Sequence, residues 1–118
     1  VECEQHHTVL PVTDVRAAID FYTTKLAFWL AFSIGEPPHF AGVNLGRGAQ
    51  IFLSAGTPNP NGVWMYFVID DADALYDFHR AGGVEIIAPP GDREYGFRDY
   101  RIRDLYGYEI EFGHRLER

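Results

Sequence analysis

The stretch YGFRDYRIRDLYGYEIEF, residues 95–112, decides how this chain is read. Phe97, Tyr100 and Ile102 supply apolar positions between Arg98, Arg101 and Arg103. Asp104 and Gly107 mark a tight turn, after which Tyr108, Ile110 and Phe112 alternate with Glu109 and Glu111. The stretch therefore reads as strand, Asp-centred turn, strand. Period-two alternation gives the last strand one buried face and places Glu109 and Glu111 on the other. A sheet face carrying carboxylates looks at water, at a metal or into a ligand cavity. Which of the three applies is the functional question.

Working outward, HHTVLPV from His6 to Val12 has strand character, and Thr13 and Asp14 offer N-cap chemistry. Val15, Ala18, Ile19, Tyr22 and Leu26 recur at helical spacing, so a first helix is expected to run to about Lys25. Three short strands follow, over 28–34, 40–45 and 50–54, punctuated by GEPP and GRG. GTPNPNG, residues 56–62, is the densest turn stretch and the seam between two halves. Beyond it come an aromatic strand, VWMYFVI, over 63–69, Asp70 and Asp71 as cap candidates, and a helix carrying Ala72, Leu75, Tyr76 and His79. Gly82 and Gly83 end that helix. A short strand over 84–87 and a loop, APPGDREYG, lead into the opening stretch.

Laid over itself at an offset of 57, the chain places Val12, Asp14, Val15, Ala18, Ile19, Asp20 and Phe21 on Ile69, Asp71, Ala72, Leu75, Tyr76, Asp77 and Phe78. Both halves then read strand, helix, three strands. The fold class expected is α+β, with two βαβββ modules, about 5–55 and about 62–114, within one domain over 1–118. Each module would build a curved mixed sheet backed by a helix, and the concave faces can meet around a cavity. At the same offset His7 falls on Trp64. Phe52 and Glu111 are near-equivalent at an offset of 59, which requires a small insertion.

Composition narrows the function classes. Ten Lys and Arg against seventeen Asp and Glu give a net charge of -7, a poor match to a phosphate backbone, so nucleic acid is not expected as a partner. Cys3 is the only cysteine, which rules out an intrachain disulfide and a Cys-rich zinc site. No apolar run approaches the roughly 20 residues that span a bilayer, and VECEQHH has neither a basic region nor an apolar core of a signal segment. A cytoplasmic protein with no membrane partner is the expectation. The sequence carries no Gly-rich phosphate loop, no GxSxG, no HExxH and no Cys in the setting of a nucleophile.

LPVTDVRAAIDFYTTKL at the front and YGFRDYRIRDLYGYEIEF at the end resemble the vicinal oxygen chelate superfamily, which includes glyoxalase I, extradiol dioxygenases and fosfomycin- and bleomycin-resistance proteins. The resemblance spans nearly the whole chain; Asp104-Leu105 stands where the family usually has Asp-Pro. In metal-dependent members, the first and last strands of each module supply the ligands, and the matching positions here carry His7, Phe52, Trp64 and Glu111. Phenylalanine and tryptophan cannot donate to a metal, and two remaining ligands rarely hold one against water. His6 falls on the opposite strand face and His39 in a loop, so neither restores the set. No metal and no cofactor are therefore expected.

HFAGVNLGRGAQIFLSA, the aromatic strand with DADALY, and YGFRDYRIRD are most similar to bleomycin-resistance-type binding proteins. These lack the metal quartet and sequester a drug in grooves at a dimer interface. That resemblance implies ligand contacts at Phe40, Ser54, Tyr66 and Tyr95, and a domain-swapped homodimer. Trp64 with Tyr66, and Phe52 with Ser54, share strand faces, giving an aromatic wall with a hydroxyl handle on which a planar ligand can stack. His7 and Glu111 complete the expected ligand-binding set; Glu111, facing an apolar cavity, would carry a raised pKa unless paired. The sequence thus points to a metal-independent protein that sequesters an aromatic natural product or antibiotic, conferring resistance or self-protection, with no catalytic residue assigned. The alternatives are a superfamily enzyme of lyase, isomerase or dioxygenase type, and an interaction module with an unused cleft.

Overall fold

The structure, a computed structural model, describes residues 1–117; Arg118, the last residue of the expected 1–118 domain, lies outside them. The chain divides into two compact units, Val1–Pro58 and Asn59–Arg118. The first contains β1 (Thr8–Val12), α1 (Val15–Thr24), β2 (Trp29–Ile34), β3 (Phe40–Leu45) and β4 (Ala49–Ala55). The second contains β5 (Trp64–Val68), α2 (Ala72–Ala81), β6 (Glu85–Asp92), β7 (Phe97–Arg103) and β8 (Glu109–Arg115). Each unit is a βαβββ module. Their sheets run β1-β4-β3-β2 and β5-β8-β7-β6, with a parallel first pair and antiparallel pairs thereafter.

The repeat is visible in detail. α2 begins and ends 57 residues after α1, and the caps correspond: Asp14 accepts from the Ala17 backbone N–H at 3.1 Å, Asp71 from that of Ala74 at 3.0 Å. In the sheets Val9 lies opposite Phe52, and Tyr66 opposite Glu111. Phe52 and Glu111 are therefore equivalent by register, and the offset of 59 reflects extra residues between helix and last strand.

Alternation sorts each sheet into a helix-covered face and an open one. In the first unit Leu10, Val12, Ala41, Val43, Ile51 and Leu53 are buried beneath α1, which contributes Val15, Ala18, Ile19 and Tyr22. In the second, Tyr100, Ile102, Ile110 and Phe112 are buried on the side of Ala72 and His79 of α2. His79 is fully buried and its Nδ1 shares a 2.8 Å hydrogen bond with the Tyr100 hydroxyl, so it behaves as a satisfied core histidine. The Asp-centred turn forms as expected: Asp104 Oδ1 accepts from the backbone N–H groups of Tyr106 at 2.8 Å and Tyr108 at 2.9 Å, and Gly107 supplies a φ of 92°.

Two expectations are corrected. The expected loop APPGDREYG begins as strand, because β6 continues through Pro89 and Pro90 to Asp92. The prolines fit because β6 is an edge strand and its register shifts on both sides of Ala88, so their missing N–H groups interrupt no regular ladder. The strand face assigned to His6 does not exist, since β1 starts at Thr8, after both histidines. β7 lies between β8 and β6, and Arg98, Arg101 and Arg103 are ion-paired across it and to α2.

Candidate functional site

The open face of the first sheet is aromatic. Register aligns Val9, Phe52, Gly42 and Phe32 across four strands, with Phe40 beside Ser54 in the next row. Phe40 and Phe52 have ring centroids 5.3 Å apart, Phe32 and Phe52 5.8 Å, and the His7 imidazole stacks on Phe52 at 4.4 Å with 22° between planes. Gly42 makes this possible, since a Cβ there would collide with the Phe32 ring. Trp29 and Ile34 flank the cluster and remain half exposed, and the Trp29 indole N–H donates to the Gly46 carbonyl at 3.0 Å. His7 shares a 2.8 Å hydrogen bond between Nε2 and Gln5, while its Nδ1 and Asn44 Oδ1 are buried without partners. Beside them lies a polar cleft of about 330 Å³ lined by His6, His7, Asn44, Arg47 and Gln50.

The open face of the second sheet is built on charge beneath aromatic rings. Trp64 and Tyr66 project from the edge strand β5, and Trp64 is 59% exposed. The Trp64 indole N–H donates to Glu111 at 2.9 Å, and the Arg101 guanidinium lies 4.2 Å from the Trp64 ring centre while reaching Glu109 and Glu111 at 3.1 and 3.4 Å. At the centre sits Asp99, 0% exposed, which the sequence reading did not single out. It accepts from Arg93 Nε at 2.7 Å, from the Tyr66 hydroxyl at 2.7 Å and from the Tyr95 hydroxyl at 2.5 Å. Its partner across the ladder is Gly113, where any Cβ would strike the Tyr66 hydroxyl. Alternation from Phe97 through Asp99 to Arg101 was the available signal for Asp99.

Electrostatics follow from this geometry. Burial alone would raise Asp99, but hydrogen bonds from Arg93, Tyr95 and Tyr66 outweigh it and hold the carboxyl below its ordinary range. Glu111 moves the other way, raised by burial and by the neighbouring Asp99, against the pull of Trp64 and Arg101. Tyr66 is raised by burial and by donating to Asp99, and Tyr95 chiefly by donating to Asp99. The two carboxyls therefore affect stability with opposite signs. The contribution of Asp99 is present above its ordinary value of 3.8 and is lost as pH falls through its depressed folded value. That of Glu111 is present below its ordinary 4.5 and is lost as pH rises through its raised folded value. Glu111→Gln should therefore gain on the wild type in melting temperature above that folded value, with the gap closing below pH 4.5. Thermal melts of both proteins across pH 3–8 measure it; a gap that widens toward acid would contradict the assignment.

The expected ligand residues fall into two groups. His7, Phe40, Phe52 and Ser54 share the open face of the first sheet, and Trp64, Tyr66, Glu111 and Tyr95 gather on that of the second. Tyr95 stands in the β6–β7 turn, 60% exposed, with its hydroxyl tied to Asp99. The four positions at which such folds carry metal ligands form two engaged pairs, His7 on Phe52 and Trp64 on Glu111. These residues do not fit a divalent ion: one pair is closed by an aromatic stack, and in the other the indole offers a proton where a metal needs a lone pair. Among the described residues no group of three or more His, Cys, Asp or Glu gathers at metal-binding distance.

Two βαβββ modules, each a four-stranded mixed sheet backed by one helix, define a paired-module protein of the vicinal oxygen chelate kind. The chain belongs to the Glyoxalase/Bleomycin resistance protein/Dioxygenase superfamily, whose family model matches residues 4–112. Among solved structures it is similar to TioX from Micromonospora sp. ML1, at 24% identity and TM-score 0.82, covering 94% of this chain and 95% of that one. A glyoxalase/bleomycin resistance protein/dioxygenase from Nocardioides is 26% identical with TM-score 0.75, over 99% of this chain and 87% of that one. The bleomycin-binding protein from bleomycin-producing Streptomyces verticillus, complexed with copper(II)-bleomycin, is 24% identical with TM-score 0.74, over 95% and 96% of the two chains. No curated protein matches the chain.

Proposed function

We propose that this protein binds and sequesters an aromatic natural product or antibiotic without a metal, and so confers resistance or self-protection. The observation that carries this reading is the fate of the four ligand positions. All four side chains are committed to each other as ring stacks or ring-to-carboxylate hydrogen bonds, and each pair adjoins an open aromatic sheet face. Planar ligands gain about 0.5–1.5 kcal/mol per well-made aromatic contact beyond area burial. Sequestration needs affinity and no turnover, so a missing metal quartet costs it nothing. The fold is one on which a Streptomyces verticillus protein binds copper(II)-bleomycin, which supports this use of the scaffold here. The reading includes a cytoplasmic homodimer with modules paired between chains, checked by mass in solution. No helix among the described residues is long and apolar enough to cross a membrane.

The test is quenching of intrinsic fluorescence from Trp29 and Trp64, the only two tryptophans, in chelator-treated protein titrated with bleomycin-like and planar polycyclic compounds. Saturable quenching at micromolar concentration is expected. Turnover of a small-molecule substrate that returns only when a divalent metal is restored would replace this reading with an enzymatic one.

A further inference from the structure

We infer that Asp99 turns Tyr66 and Tyr95 into outward-facing hydrogen-bond acceptors, and that this selects cationic or N–H-bearing planar ligands over anionic ones. The inference rests on the binding reading above and names the ligand class for the face of the second sheet. Both phenol hydroxyls spend their only proton on one oxygen of Asp99, at 2.7 and 2.5 Å. A phenol that has given its proton inward offers only lone pairs outward. The buried carboxylate also polarises both phenols, which makes their ring faces more attractive to a cation.

The arrangement is constructed in detail. Gly113 leaves the space the Tyr66 hydroxyl occupies, Arg93 braces Asp99 through its Nε and also donates to the Asp99 backbone carbonyl at 3.1 Å, and Phe97 lies between the tyrosines, 6.0 and 6.1 Å from their ring centres. Three of the four nearby guanidiniums are neutralised by carboxylates and do not reverse the preference. Arg93 is paired with Asp99, Arg101 with Glu109 and Glu111, and Arg103 with Glu85 and Glu109. Guanidiniums already lie over two rings of this face: Arg101 over Trp64 at 4.2 Å and Arg115 over Phe97 at 5.3 Å. Asp99 touches no ligand in this scheme and acts as a positioning residue.

The experiment compares two planar fluorescent probes of opposite charge, proflavine and 1-pyrenesulfonate, on the full chain. Proflavine is expected to bind at least about tenfold more tightly, a difference of roughly 1.4 kcal/mol. Asp99→Asn, whose amide must donate as well as accept, is expected to bring the ratio below about threefold. Asp77→Asn, which removes the same charge from an exposed position on α2, should leave it unchanged. Independently of any probe, Asp99→Asn should shift tyrosine ionisation, followed by absorbance, to lower pH. Equal affinity for both probes in the wild type would overturn this inference alone, whereas binding of neither would overturn it together with the sequestration reading. An unchanged tyrosine titration would overturn the orienting role whatever binds. Should Asp99→Asn fail to fold, Tyr66→Phe and Tyr95→Phe keep the rings and remove the acceptors, and an undiminished probe ratio in both would refute the proposal.

Discussion

Phe112→Ala should destabilise the protein by about 3–5 kcal/mol, while Phe52→Ala should cost only about 1 kcal/mol and lower ligand affinity by up to about tenfold. Both residues lie on the last strand of their modules, and their environments differ. Phe112 is fully buried on the helix-covered face, with ring centres of His79 at 5.2 Å, Phe67 at 5.5 Å and Tyr100 at 5.6 Å. Truncation there leaves a cavity that surrounding rings cannot fill. Phe52 is half-buried on the open face, held by His7, Phe32 and Phe40. Urea unfolding measures the first effect and probe titration the second. Equal stability losses with no change in binding would show that Phe52 is core and not wall.

Gly113→Ala is the second large effect, with an expected cost of about 1–3 kcal/mol from overpacking. The new methyl would collide with the Tyr66 hydroxyl and stand 2.9 Å from the Asp99 Cβ. The backbone of Gly113 is not in the left-handed region, so the cost is steric and falls on the Tyr66–Asp99 hydrogen bond. Relief requires the phenol to swing away, which frees its proton. The variant should therefore lose stability, and its Tyr66 should ionise at lower pH. Gly48→Ala is the control, because a Cβ there meets nothing within 4 Å. A melt of Gly113→Ala that matches the control would contradict the packing described for this face.

Much of this was legible in the sequence. The match of Asp14 with Asp71 anticipated two helices that begin and end 57 residues apart, because capping is local and needs only the right side chain before an apolar stripe. Strict alternation after Asp104 gave the burial of Tyr108, Ile110 and Phe112 correctly, since period two leaves no choice of face. β6 was not legible beyond Ile87 because proline reads as a breaker, and only pairing with β7 shows that an irregular edge accommodates it. The sequence points to the residues of the ligand set singly and does not reveal their mutual engagement. The indole bond from Trp64 to Glu111, and the convergence of Tyr66, Arg93 and Tyr95 on Asp99, are cross-strand and turn contacts that spacing does not encode. Asp99 does not stand out in the sequence, because three arginines dominate its strand.

The central claim, metal-free capture of a planar aromatic ligand on these faces, meets its most direct test in the two indole N–H resonances. Trp64 donates to Glu111 beneath the second face and Trp29 to the Gly46 carbonyl at the margin of the first, so each reports on one sheet. In chelator-treated, isotopically labelled protein titrated with proflavine, the Trp64 indole resonance should shift saturably, with Trp64→Phe identifying the signal. An indole spectrum that stays unchanged until a divalent metal is added would contradict the account.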